Sequence, residues 1–118
     1  MDITSLDFQQ ARIKQVLFKS RLRSVLYGVR EADEALFSVQ QNPFGQWLRT
    51  VAAPQYGGRP ELRELERTLQ RMLDTGRELV AQYRRGQIEE ARAGLERIDA
   101  FAAQMEDLLQ KLETRVGY

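Results

Sequence analysis

Apolar residues return every third or fourth position through most of this chain, and the register of that return marks out its helices. Over residues 5–27 the sequence predicts a first helix whose inward stripe is Phe8, Ala11, Gln15, Phe18, Leu22, Val25 and Val29. Steps of three and four keep such positions on one face of a 3.6-residue repeat. Gln15 is the single polar member, in mid-stripe. Gly28 is the expected left-handed stop. A shorter helix is expected over residues 30–41, carrying Ala32, Ala35, Leu36 and Val39. Asn42-Pro43 then reads as an N-cap followed by proline at the first helical position, and starts a short helix holding Phe44, Trp47, Leu48 and Val51. Residues 53–60, APQYGGRP, read as a loop, with two prolines and the Gly57-Gly58 pair.

A third helix is expected from near Pro60 to just before Gly86. Its stripe is Leu62, Leu65, Leu69, Met72, Gly76, Leu79 and Tyr83, widened by Leu73 and Val80. A fourth follows over residues 88–116, with Ile88, Ala91, Leu95, Ile98, Ala102, Met105, Leu109, Leu112 and Val116 on its seam. No segment alternates with the two-residue period of a strand. The pattern therefore predicts an all-α protein, an antiparallel four-helix bundle with a broken, shorter second element, as one domain over residues 1–118.

Composition narrows the chemistry. Apolar residues make up 42% of the 118-residue chain, enough for one core, and charged residues make up 30%. There is no cysteine and no histidine. Disulfides, thiolate ligands and thiol nucleophiles are excluded, and so is the commonest general base near neutral pH. Only a carboxylate metal site is left open. A di-iron bundle needs a Glu-x-x-His pair, which this chain lacks, and Glu64, Glu66, Glu89, Glu90, Glu106 and Asp107 lie mostly off the seams. Ser20 and Ser24 have no base to activate them, so no enzyme is expected. A net charge of +1 gives no general pull toward nucleic acid. Lys19, Arg21, Arg23, Arg84 and Arg85 lie near aromatics as a phosphate patch would, but solvated helix faces commonly look the same. The first residues carry no signal-peptide pattern and no apolar run reaches membrane-spanning length, so a cytoplasmic protein without membrane insertion is expected.

Charge is also uneven. Residues 1–30 hold six Lys/Arg against two Asp/Glu, and residues 87–118 hold four against seven. Two arrangements fit: complementary neighbouring helices within one chain, or the first helix of one copy against the last of another, making a homodimer.

Four stretches in this order resemble a known family: IKQVLFKSRLRSVLYG (13–28), NPFGQWL (42–48), ELERTLQRML (64–73) and YRRGQIEEARAGL (83–95). Together they look like the chemoreceptor zinc-binding (CZB) domain over roughly residues 8–112, the turn Gly45-x-Trp47 being the most specific part. The resemblance implies a four-helix bundle that holds one zinc through three histidines and one cysteine. Carried over position by position, those ligands fall on Gln15, Asn42, Leu69 and Leu73. All four are changed, and leucine offers no lone pair. The expectation is a former metal site refilled by apolar volume at Leu69 and Leu73. Gln15 and Asn42 would satisfy each other's amides, by a direct side-chain hydrogen bond or through water, and Trp47 would be a structural anchor at the bundle end.

What the resemblance implies about function is a metal-free, cofactor-free and non-catalytic regulatory or protein-interaction domain of a bacterial kind, associated with chemotaxis or cyclic-di-GMP signalling. Its partner would be another protein or a second copy. The alternative is a purely structural bundle without a ligand. Loss of the ligands in a natural relative and a redesigned zinc-free variant both fit.

Overall fold

The computed structural model describes residues 5–115, and every regular element among them is helical. Helix α1 (Ser5–Leu26) carries Phe8, Ala11, Gln15, Phe18, Leu22 and Val25 inward, as its spacing predicts. At its end the Gly28 N–H donates to the Val25 carbonyl and the Val29 N–H to the Ser24 carbonyl. Gly28 sits at φ +75°, the left-handed conformation that this glycine-terminated helix stop requires. The chain leaves the helix there. Val29 is thus 78% exposed rather than part of the stripe, and Leu26 is buried in its stead.

The expected helix over 30–41 does not form. The structure has a single 3-10 turn, Glu34–Phe37. Local side chains take up the backbone: the Asp33 carboxylate accepts from the Leu36 N–H, and the Ser38 hydroxyl accepts from the Gln41 N–H. Such short polar groups compete with helical hydrogen bonding. Phe37, which lay outside the predicted stripe, is the residue that reaches the core, edge-on to Phe18. Arg77 of the next long helix lies over the Phe37 ring and pairs with Glu34, fastening this segment.

From Pro43 the backbone is helical for longer than expected. Helix α2 (Pro43–Trp47) runs into a π-helical turn (Leu48–Ala52) and then helix α3 (Ala53–Tyr56). The wider turn lets the Ala53 N–H reach the Leu48 carbonyl, and Pro54, which has no N–H to give, follows it. The predicted loop over 53–60 therefore shrinks to Gly57–Arg59.

Helix α4 (Pro60–Arg84) buries its predicted stripe from Leu62 to Leu79, together with Leu73 and Val80, and Tyr83 packs half-buried against the core. It stops at Gly86, with φ +88°, in the same way as α1. The last helix is interrupted at Gly94, giving α5 (Ile88–Ala93) and α6 (Leu95–Arg115). The side chain of Leu79 packs so closely on Gly94 that a Cβ there would overlap it. Ile88 is 39% exposed, which is another departure from the expected seam. Val116, the expected last seam position, lies outside the described residues.

Side-chain contacts give the topology. Phe37 and Trp47 meet Phe18 and Phe8 in reversed order, so the second element runs down against α1. A Cβ on Gly76 would meet Phe18, and one on Gly28 would meet the Tyr83 hydroxyl, so α4 runs parallel to α1. Arg12 pairs with Glu106 and Glu113, and Lys19 with Asp99, so α6 runs antiparallel to α1. The result is an up-down-up-down helical bundle with a broken second element, about 48 Å long and 21 Å across, around one apolar cluster.

Candidate functional site

The four positions implied by the resemblance are all interior. Gln15 and Asn42 are each 4% exposed, and Leu69 and Leu73 are fully buried. Leu69 and Leu73 are four apart on α4, which puts both on its core face. Asn42 is a working N-cap, its side-chain oxygen accepting from the Gly45 N–H at 3.0 Å. A Cβ added to Gly45 would overlap the Val39 carbonyl and lie against the Leu69 side chain. That close approach is why glycine opens the Gly-x-Trp turn.

The direct amide pair does not form: no hydrogen bond joins Gln15 to Asn42, and the Asn42 oxygen accepts from the helix start instead. Gln15 Nε2 is left buried with no hydrogen-bond partner among the described residues, and so is Trp47 Nε1. Trp47 is buried: its ring stacks on Phe44 at 6.1 Å and meets Phe8 edge-on at 5.8 Å, at the end of the bundle where α1 begins.

This donor set does not fit zinc. Two of the four positions are leucine, one is an amide whose oxygen is occupied, and the fourth is a neutral glutamine. Among the described residues no group of three or more His, Cys, Asp or Glu is placed to hold a metal ion. Leu69 also lines a groove of about 260 Å³ with Val39, Gly45 and Leu48, edged by Arg49, Glu66 and Gln70, and Leu73 is not part of it.

Electrostatic pairing accounts for the uneven charge. Arg12 donates from Nε to Glu106 at 2.8 Å and from Nη2 to Glu113 at 2.7 Å. These two hydrogen bonds raise the Arg12 pKa above its ordinary value, and burial opposes them only in part. The basic first helix and the acidic last one are neighbours in the same chain, so their opposition gives no reason to invoke a second copy. The basic residues considered for phosphate are used separately. Lys19 pairs with Asp99, Arg23 lies over the Tyr27 ring, and Arg84 joins Arg30 and Tyr83 around a hollow of about 360 Å³ beside Gly28. Arg92 packs over the Tyr27 ring at 4.1 Å and donates to the Leu26 carbonyl, supplying a cation and a donor to the α1 C-terminus.

One feature escaped the sequence reading. The outer face of α1 carries large apolar side chains among its polar ones: Leu6 is 61% exposed, Ile13 62% and Val16 55%, with Tyr27 48% exposed just beyond the helix. The signal was present as Leu6, Ile13, Ser20 and Tyr27 at seven-residue steps, with Val16 and Leu17 between. The stronger inward stripe masked it. No described helix is long and apolar enough to cross a membrane.

Comparison of the chain with protein-family models, with curated proteins and with solved structures finds no match.

Proposed function

We propose that this chain is a non-catalytic, metal-free protein-interaction domain, and that it acts through the outer face of α1. The observation that carries this reading is the second apolar face of that helix. A helix of a folded bundle needs one apolar side for its core, and here the opposite side also presents large apolar side chains, Leu6, Ile13 and Val16, more than half exposed among polar ones. Leu6, Ile13 and Val16 are not part of the core cluster, so the core does not account for their apolar character.

The resemblance to the CZB family adds a regulatory setting, in chemotaxis or cyclic-di-GMP signalling, with the protein as a relative that has lost its metal. Leucine at two ligand positions, and an asparagine turned to helix capping at a third, support that history. The competing reading is a structural bundle without a partner.

Photo-crosslinking in the cells that produce the protein separates these readings. A benzophenone amino acid at Ile13 should give a covalent adduct, and the same group at Gln104, exposed on α6, should give none. The mass of the adduct distinguishes a second copy from a different protein. Absence of an adduct from Ile13 and equally from Val16 would leave the scaffold reading in place.

A further inference from the structure

We infer that the partner seated on α1 is an amphipathic helix whose apolar stripe is edged by carboxylates. This inference rests on the protein-interaction reading above and names the chemistry of the partner.

The face is long and narrow. Leu6, Ile13, Ser20 and Tyr27 follow one another at seven-residue intervals, with Val16 and Leu17 between them. From Leu6 to Tyr27 the line extends about 30 Å at the rise of an α-helix. Those dimensions suit a second helix laid along α1. Basic residues lie along both edges of the stripe, and on one edge carboxylates of α6 stand beside them. Lys14 and Arg21 flank it on one side. On the other, Arg12, Lys19 and Arg23 follow in turn. Arg12 and Lys19 are engaged by acids of α6. Lys14, Arg21 and Arg23 have no ion-pair partner among the described residues, although Arg23 lies over Tyr27. The only acid on α1 is Asp7, in its first turn.

Charge decides the occupant. A second copy presenting its own α1 would bring Lys14, Arg21 and Arg23 of both copies together, with one Asp7 from each to offset them. Like charges across a helix pair oppose pairing, and opposite charges on the flanks favour it. A helix with glutamates or aspartates beside its apolar line meets Lys14 and Arg21 on one edge and Arg23 on the other, none of which has an ion-pair partner among the described residues. A membrane surface is a poorer fit, because Gln9, Gln10, Ser20 and Ser24 interrupt the stripe.

The test uses the full chain and two synthetic three-heptad helical peptides with the same leucine stripe, one flanked by glutamate and one by lysine. Binding is read by fluorescence anisotropy at low salt. The glutamate peptide is expected to bind at least about tenfold more tightly than its lysine twin, and the preference should shrink as salt screens the edges. The double variant Lys14→Glu/Arg21→Glu should reverse the preference. The double variant Ile13→Gln/Val16→Gln, with its helical circular dichroism intact, should lose both peptides.

Equal affinity for the two peptides, a preference for lysine, or indifference to the charge-reversed variant would overturn the inference. If both peptides bound equally and Ile13→Gln/Val16→Gln abolished both, the docking face would stand without its acidic partner. Binding of neither peptide would overturn it as well. So would capture by phosphatidylserine vesicles, or light scattering showing a dimer, where Ile13→Gln/Val16→Gln removes the association.

Discussion

Gly45 and Gln15 show how single residues carry opposite kinds of strain in this interior. At Gly45 the backbone of Val39 lies against the α-carbon, so an added methyl has to displace main chain. Overpacking of that kind costs about 1–3 kcal/mol. Gly45→Ala should therefore lower the unfolding free energy by that amount, read as a lower urea midpoint with the slope of the transition unchanged. At Gln15 the defect is polar, because Nε2 is buried and unpartnered. An unsatisfied buried donor costs about 1–3 kcal/mol, and methionine offers nearly the same shape without it. Gln15→Met should raise stability by about 1 kcal/mol or more in the same urea titration. A loss would mean that the amide is satisfied after all.

Elements differ in how plainly the sequence announces them, and the reason is where their stability originates. Helices α1 and α4 have long runs of regular spacing ended by Gly28 and Gly86, so pattern and stop agree, and both ends fall within one residue of expectation. The segment from 30 to 41 has helical spacing too, yet Asp33 and Ser38 capture its backbone and Phe37 swings inward. Spacing cannot reveal which of two local hydrogen-bonding schemes wins when tertiary contacts decide it. The same holds for residues 53–56, where Pro54 and the glycines after it suggested a loop and the π-turn absorbed the proline.

Of the candidate site, the burial of Gln15, Leu69 and Leu73 was legible from helical spacing, and the capping role of Asn42 from the proline that follows it. The surroundings of the Gln15 amide were not, since spacing turns a side chain inward without showing what it meets. Long-range fastening of elements was equally hidden. Arg92 closes the C-terminus of α1 from the far end of the chain, by a hydrogen bond to Leu26 and by stacking on Tyr27. Charge-assisted hydrogen bonds and partly exposed cation–π contacts together suggest a cost of about 1–2 kcal/mol for Arg92→Met. Hydrogen exchange should speed up most in the last turn of α1. A loss spread evenly over the bundle would contradict this role.

At the scale of the whole molecule, the proposal of a lost metal site makes a claim that can be tested by reversal. If Gln15, Asn42, Leu69 and Leu73 occupy the places of ancestral ligands, restoring those ligands should restore the metal. Leu69 and Leu73 share a face of α4, Leu69 touches Gly45, and Asn42 caps the turn that contains Gly45. A cysteine at 42 would stand at a helix start, where the N–H groups favour a thiolate. The quadruple variant Gln15→His/Asn42→Cys/Leu69→His/Leu73→His loses core volume and a cap, so without metal it should be markedly less stable than the parent. Zinc binds only the folded state of such a site, so added zinc should recover stability in proportion to the logarithm of its concentration. The parent, with no competent donors, should show no saturable zinc binding by calorimetry and no change in melting temperature with a chelator. Should the variant fold, by circular dichroism, and still take up no zinc at one equivalent, the four positions do not form a common site. The proposed descent from a zinc-binding domain would then lose its site.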